Sequence, residues 1–135
     1  MTLLESGKYE EVVAFNDFVI EFTPKDEQAW FNRGTALFKL GKYQEALASY
    51  DKVIEITPKY EQAWFNRGAA LFKLGKYQEA ITSFDEAIKI KPEDGQAWCK
   101  LGKTLFKLEK YQEGIDAYDM AIGVIELHAG DALKN

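Results

Sequence analysis

A period of 34 residues constrains this chain more than any other feature. Glu61 to Ala80 reads EQAWFNRGAALFKLGKYQEA, nearly the same words start at Glu27, and an altered version starts at Gly95. A fixed period of that size means stacked units, each of which buries its apolar face against its neighbours. Within the unit, Trp64, Gly68 and Leu71 are four and then three residues apart, which places them on one face of an α-helix. Gly75-Lys76 interrupts the pattern. Tyr77, Ala80, Phe84 and Ala87 then resume helical spacing, until Pro92 excludes helical geometry at Lys91 before it. The unit is a helical hairpin, and the chain is predicted to be all-α.

Taken in order, the chain forms a single repeat domain. Residues 1–26 read as a partial unit, mainly a second helix: Met1 to Ser6 look like the tail of a first helix, and Val12, Phe15, Val19 and Phe22 make an apolar stripe from about Lys8 onward. Thr23-Pro24 stops that helix, and Asp26 is placed to cap the next. Complete hairpins follow at 27–60, 61–94 and 95–128, and 129–135 is the start of a further helix or a tail. The third hairpin departs from the others. Cys99 stands where Phe31 and Phe65 do, Lys100 where Asn32 and Asn66 do, Lys103 where Thr35 and Ala69 do, and Glu109 where Gly41 and Gly75 do. Glu126 occupies the place of a proline, so the last helix is free to run beyond Ile122.

Trp30, Trp64 and Trp98 open the first helices and Gly34, Gly68 and Gly102 follow them. Tyr43, Tyr77 and Tyr111 begin the second helices, and Pro24, Pro58 and Pro92 close them. Several positions recurring in phase resemble the tetratricopeptide repeat (TPR) family. The resemblance implies a right-handed superhelical solenoid of antiparallel helix-turn-helix repeats, whose first helices line a concave surface used to bind a peptide or protein. One branch of the family holds a terminal carboxylate of a peptide through Lys, Asn and Arg on successive first helices. Asn66 and Lys100 agree with it in character, whereas Phe31, Thr35 and Gln96 depart, so the resemblance implies peptide or protein binding without naming the ligand.

No catalytic constellation stands out: there is no Gly-rich phosphate loop, no metal-ligand spacing and a single histidine, His128. The reading is of a chain without catalysis or cofactor. The lone cysteine, Cys99, excludes an internal disulfide, the apolar runs are short, and MTLLESGKYEE lacks the basic and apolar regions of a signal peptide. A cytoplasmic setting without a membrane partner fits these features. The net charge of −5 argues against nucleic acid, whose binding relies on many Lys and Arg contacts to phosphate.

The candidate site lies on the first helices. Trp64, Gly68 and Leu71 share the expected core face, and an adjacent face carries Phe65, Ala69 and Phe72 with Gln62, Asn66 and Lys73 beside it. By the same register the surface includes Gln28, Phe31, Asn32, Thr35, Phe38 and Lys39 in the first hairpin and Gln96, Cys99, Lys100, Lys103, Phe106 and Lys107 in the third. The Phe residues either pack first helix on first helix or floor a groove. Charge adds to this: Arg33, Lys39, Arg67, Lys73, Lys100, Lys103 and Lys107 outnumber Glu27 and Glu61 on the first helices, a basic stripe in an acidic protein. Its expected ligand is an acidic or amphipathic segment. Arg33 and Arg67, although counted in the stripe, are read as structural, since their long stems can cover apolar surface while the guanidinium reaches water or a carboxylate. A second, structural function is self-assembly, with incomplete terminal repeats of two molecules docking head to tail; an excised fragment with no function of its own is the remaining reading.

Overall fold

The computed structural model describes residues 1–134, with side chains as far as Asp131. Among these residues seven helices follow one another: α1 (Leu3–Phe22), α2 (Glu27–Lys39), α3 (Tyr43–Ile56), α4 (Glu61–Lys73), α5 (Tyr77–Ile90), α6 (Gly95–Lys107) and α7 (Tyr111–Lys134). Each is in contact with the next, while α2, α4 and α6 also touch one another in sequence along the inner side of the solenoid.

The turn inside each hairpin follows from one left-handed residue. Gly41 and Gly75 adopt φ of +77° and +75°, and the following Lys N–H donates to the Leu37 or Leu71 carbonyl at 2.9 Å, which satisfies a helix end that otherwise lacks partners. Glu109 takes the same conformation at φ 61° without being glycine, and Lys110 N–H still donates to Leu105 O. The loops between hairpins are fixed by tryptophan. Each indole N–H donates to the carbonyl of the preceding loop proline: Trp30 to Pro24, Trp64 to Pro58 and Trp98 to Pro92, at 2.8, 2.8 and 2.9 Å. The rings are half-buried in consequence. The deepest positions of the first helices belong instead to Leu37, Leu71 and the alanines around them. Asp26 and Asp94 cap α2 and α6 as carboxylate acceptors of backbone N–H groups, but Tyr60 at the start of α4 offers no such cap.

The core is a seam between successive hairpins, where Tyr50, Phe84, Val53, Leu71 and Ala80 are shut off from solvent. Close approach of helices depends on glycine. A Cβ at Gly68 would stand 2.7 Å from the Phe84 ring, and at Gly102 3.1 Å from the Gly114 carbonyl oxygen.

Both ends differ from the repeat pattern. Met1 to Ser6 do not form a separate helix tail: Thr2 caps α1 by accepting from Glu5 N–H at 3.1 Å, and the helix runs unbroken through Gly7-Lys8, the counterpart of the turn at Gly41-Lys42. Glycine permits a left-handed turn but does not impose one, and no described helix precedes α1 for the chain to fold back from. The expected α1 stripe is largely uncovered, with Phe15 and Phe22 65% and 69% exposed, while Asn16 is the buried residue. At the other end Glu126 allows continuation, and α7 extends through Lys134. Of the terminal segment assigned to a further helix, the backbone to Lys134 is simply the end of α7, and Asn135 lies outside the described residues.

Candidate peptide-binding surface

Seven of the residues singled out on the first helices converge on one concavity of about 780 Å³: Phe31, Gln62, Phe65, Asn66, Gln96, Cys99 and Lys100. Its aromatic wall is anchored from behind, since Phe31 stacks on Tyr60 and Tyr50 at 5.1 and 5.8 Å and Phe65 meets Phe84 edge-on at 5.7 Å. Each ring is half-buried. The Phe face therefore serves hairpin packing and the groove wall together. Thr35 shares a hydrogen bond with the Tyr50 hydroxyl at 3.2 Å; burial pushes the Tyr50 phenol above its ordinary range, with Thr35 and Asn66 acting the other way.

The other expected residues lie elsewhere. Asn32 and Thr35 border a second groove, between α1 and α2, and Gln28 donates to Asn32 at 2.9 Å on the exposed side of α2. Phe38, Phe72 and Phe106 stack edge-on with Tyr43, Tyr77 and Tyr111 at the hairpin turns. Ala69 is half-buried on α4. Lys39, Lys73 and Lys107 stand in the last turns of their helices, where a cation offsets the negative end of the helix dipole. Lys103 Nζ sits 5.2 Å from the centre of the Phe72 ring, so it leans from α6 toward α4 beside the concavity.

Arg33 and Arg67 leave the stripe altogether. Arg67 Nε donates to Asp51 Oδ1 at 2.7 Å and one terminal nitrogen donates to the buried Ser83 hydroxyl at 2.6 Å, with the guanidinium 5.8 Å from the Trp64 ring centre. Arg33 repeats this with Asp17, Ser49 and Trp30 at 2.6, 2.7 and 5.9 Å. Each arginine joins its own hairpin to the preceding helix. In the third hairpin Leu101 and Ala117 take the places of arginine and serine, and Asp85, the counterpart of Asp51, is left with its carboxyl raised by burial.

Two groups of lining residues were not anticipated. Val124 and Ile125 come from the part of α7 just before Glu126 and His128 from its continuation past the missing proline, and Glu61, Lys91, Glu93 and Asp94 come from helix starts and the α5–α6 loop. The substitution of Glu126 was the available signal for the first group. For the second there was none, because the approach of Glu61 to Asp94 depends on how two hairpins stack. Glu61 Oε1 is closed off from solvent with no donor in reach. Burial, then the hydrogen bond and the negative charge of Asp94, push the Glu61 carboxyl up to about 7, against the pull of Lys91. The concavity thus carries both signs of charge, with Glu61, Glu93, Asp94 and Lys91 around the helix starts and Lys100 further along α6; Lys103 lies one turn beyond Lys100, outside the lining.

Tetratricopeptide-repeat models match residues 19–48, 34–75, 61–94 and 95–126, continuous cover over most of the chain. This chain belongs to the tetratricopeptide repeat family. A comparison with curated protein sequences returns no match. Among solved structures the TPR solenoid resembles a crystal structure of MamA, with a TM-score of 0.86 at 19% identity over 87% of this chain and 69% of that one. It also resembles MamA (41-end) from Desulfovibrio magneticus RS-1, with a TM-score of 0.83 at 28% identity over 90% and 68%. MamA MSR-1 is similar at a TM-score of 0.82 and 22% identity, over 93% and 72%. The TPR architecture is that of a protein–protein interaction module. Among the described residues no helix is long and apolar enough to cross a membrane, and no three His, Cys, Asp or Glu are grouped to hold a metal.

Proposed function

We propose that this TPR domain is a non-catalytic binding module that takes a protein or peptide segment on its concave face, with an acidic residue of the ligand over Lys100 and Lys103. The observation that carries the reading is the meeting of Phe31, Phe65, Gln62, Asn66, Gln96 and Lys100 in one concavity. The half-buried rings supply apolar anchorage, the amides supply hydrogen bonds to an extended backbone, and the two lysines supply direction. Because Glu61, Glu93 and Asp94 outnumber Lys91 around the helix starts, the ligand that fits is amphipathic, with neutral or donor groups toward those starts and acid toward Lys100 of α6. A cytoplasmic partner suits the single cysteine, and nucleic acid does not suit the net charge of −5.

The test is titration of a library of acidic amphipathic peptides into the wild type and Lys100→Glu/Lys103→Glu, with salt varied. Each exposed charge contact contributes about 0.2–1 kcal/mol, so reversing two should weaken binding roughly tenfold and flatten its salt dependence. Reversal of Lys39, Lys73 and Lys107 should leave affinity near the wild-type value. Equal affinities for wild type and Lys100→Glu/Lys103→Glu at low salt would refute the assignment. Self-association through the terminal helices is the second reading, favoured by the exposed Val12, Phe15 and Phe18 of α1.

A further inference from the structure

The groove between α1 and α2 has the form of a helix seat. It encloses about 710 Å³ and is walled by Tyr9, Val12, Phe15 and Asn16 of α1 and by Asn32 and Thr35 of α2. Moved forward by one repeat, the same positions are Tyr43, Ala46, Ser49 and Tyr50 of α3 and Asn66 and Ala69 of α4. There the seat is filled: α2 lies in it, with Gly34 against Tyr50 and Ser49, Leu37 buried and Phe38 stacked on Tyr43. Among the described residues no helix occupies the equivalent place on α1, and Phe15 stands there 65% exposed.

What the seat requires can be read from its occupants. Each of α2, α4 and α6 presents a glycine to the second helix, followed two and three residues later by Ala-Leu or Thr-Leu: Gly34-Thr-Ala-Leu37, Gly68-Ala-Ala-Leu71, Gly102-Lys-Thr-Leu105. A Cβ at Gly34 or Gly68 would strike the facing ring, 2.8 and 2.7 Å away, and one at Gly102 would crowd Gly114 and Tyr118 at 3.1 Å. The chain contains this pattern once more, outside the first helices, as Gly130-Asp-Ala-Leu133 in the extension of α7. Among the described residues a Cβ at Gly130 would meet nothing within 4 Å, so none of them requires glycine there. At about 1.5 Å per residue, the nine residues from Glu126 to Lys134 carry the helix roughly 13 Å beyond the level of Ile125, which lies against Gly95 at the start of α6.

We infer that the α7 extension of one molecule occupies the α1–α2 seat of a second copy, Gly130 facing Phe15 and Asn16 as Gly34 faces Ser49 and Tyr50. The contact imitates the packing of first helix on second helix used within each hairpin, and because seat and extension lie at opposite ends of the chain it is head to tail and repeats from copy to copy. It is independent of the concave-face reading, because neither Gly130 nor Phe15 lines that concavity.

Two substitutions block the opposite halves of the contact. Phe15→Glu places a charge in the seat. Gly130→Leu adds bulk to the inserted helix while raising its helical propensity. Mass should be measured by sedimentation equilibrium from micromolar to millimolar concentration, after circular dichroism has shown equal helicity; Phe15→Lys replaces Phe15→Glu should the latter lose helix. The wild type is expected to rise in mass with concentration, each variant to stay monomeric, and an equimolar mixture of the two variants to form dimers and nothing larger, since it retains one intact seat and one intact extension. A wild type that stays monomeric throughout overturns the inference. So does association that survives either substitution, or a mixture that stays monomeric while the wild type associates.

Discussion

Replacing Arg67 with leucine, the residue that stands at the same position in the third hairpin, isolates what the arginine does for the stack. The loss has three parts. The ion pair with Asp51, whose side chain is 52% exposed, contributes only about 0.2–1 kcal/mol. The guanidinium over Trp64 adds about 0.5–1 kcal/mol. The largest part is indirect: Ser83 is fully buried and its hydroxyl accepts from Arg67, and an orphaned buried hydroxyl costs about 1–3 kcal/mol. It loses less if it turns to a carbonyl one turn back in α5. Leucine preserves the apolar cover given by the arginine stem. Arg67→Leu should therefore cost about 2–3 kcal/mol, and Ser83→Ala about 1 kcal/mol. The double variant should cost about 1–2 kcal/mol, less than Arg67→Leu alone, because no polar group is then stranded. Urea unfolding of the four proteins measures this cycle. A double variant whose loss equals the sum of the singles would show that the serine does not depend on the arginine, and the reasoning would fail.

Gly68→Ala should destabilise by about 1–2 kcal/mol in the same assay, since overpacking against the buried Phe84 ring outweighs the better helix propensity of alanine. Glu109→Gly should raise the thermal midpoint, with a gain of up to about 1 kcal/mol, because glycine adopts the left-handed turn at φ 61° without strain. Glu61→Gln should change how stability varies with pH. Folded Glu61 holds its proton to about pH 7 against an ordinary value of 4.5; its contribution is therefore complete below 4.5 and is lost as pH rises through 7. Glutamine, neutral throughout, should match the wild type near pH 4 and exceed it at pH 8, by less than about 1 kcal/mol given solvent screening; parallel stability curves would rule this out.

Much of this molecule could be read from its letters because the repeat states each local choice three times. Gly75-Lys76 announced the turn, Pro58 and Pro92 the loops, and Glu126 the continuation of α7, all through backbone restrictions that act within a few residues. What was hidden depends on partners distant in sequence. WFNRG supports a structural arginine whose guanidinium can reach a carboxylate, but nothing in it reveals that Arg67 reaches Asp51 and Ser83 in particular. The same holds for Glu61, whose proton depends on the next hairpin bringing Asp94 to it. Gly7 is the opposite case, a local signal that permits a turn the surrounding structure does not call upon. In the candidate site the aromatic and amide residues of α4 and α6 were legible from helical phase, but the α7 wall was not, because phase does not say how far a helix will reach over its neighbour.

The change from arginine to Leu101 at the last joint has a mechanical meaning. At the two earlier joints a guanidinium grips a half-exposed carboxylate, a link that can lengthen, admit a water and re-form as hairpins rock. At the last, Leu101 and Ala117 are buried and line, with Asp85, a recess of about 290 Å³ where that grip would be. Opening either of the first two joints therefore breaks an ion pair and a hydrogen bond that water can replace, whereas opening the last exposes apolar surface that water does not compensate.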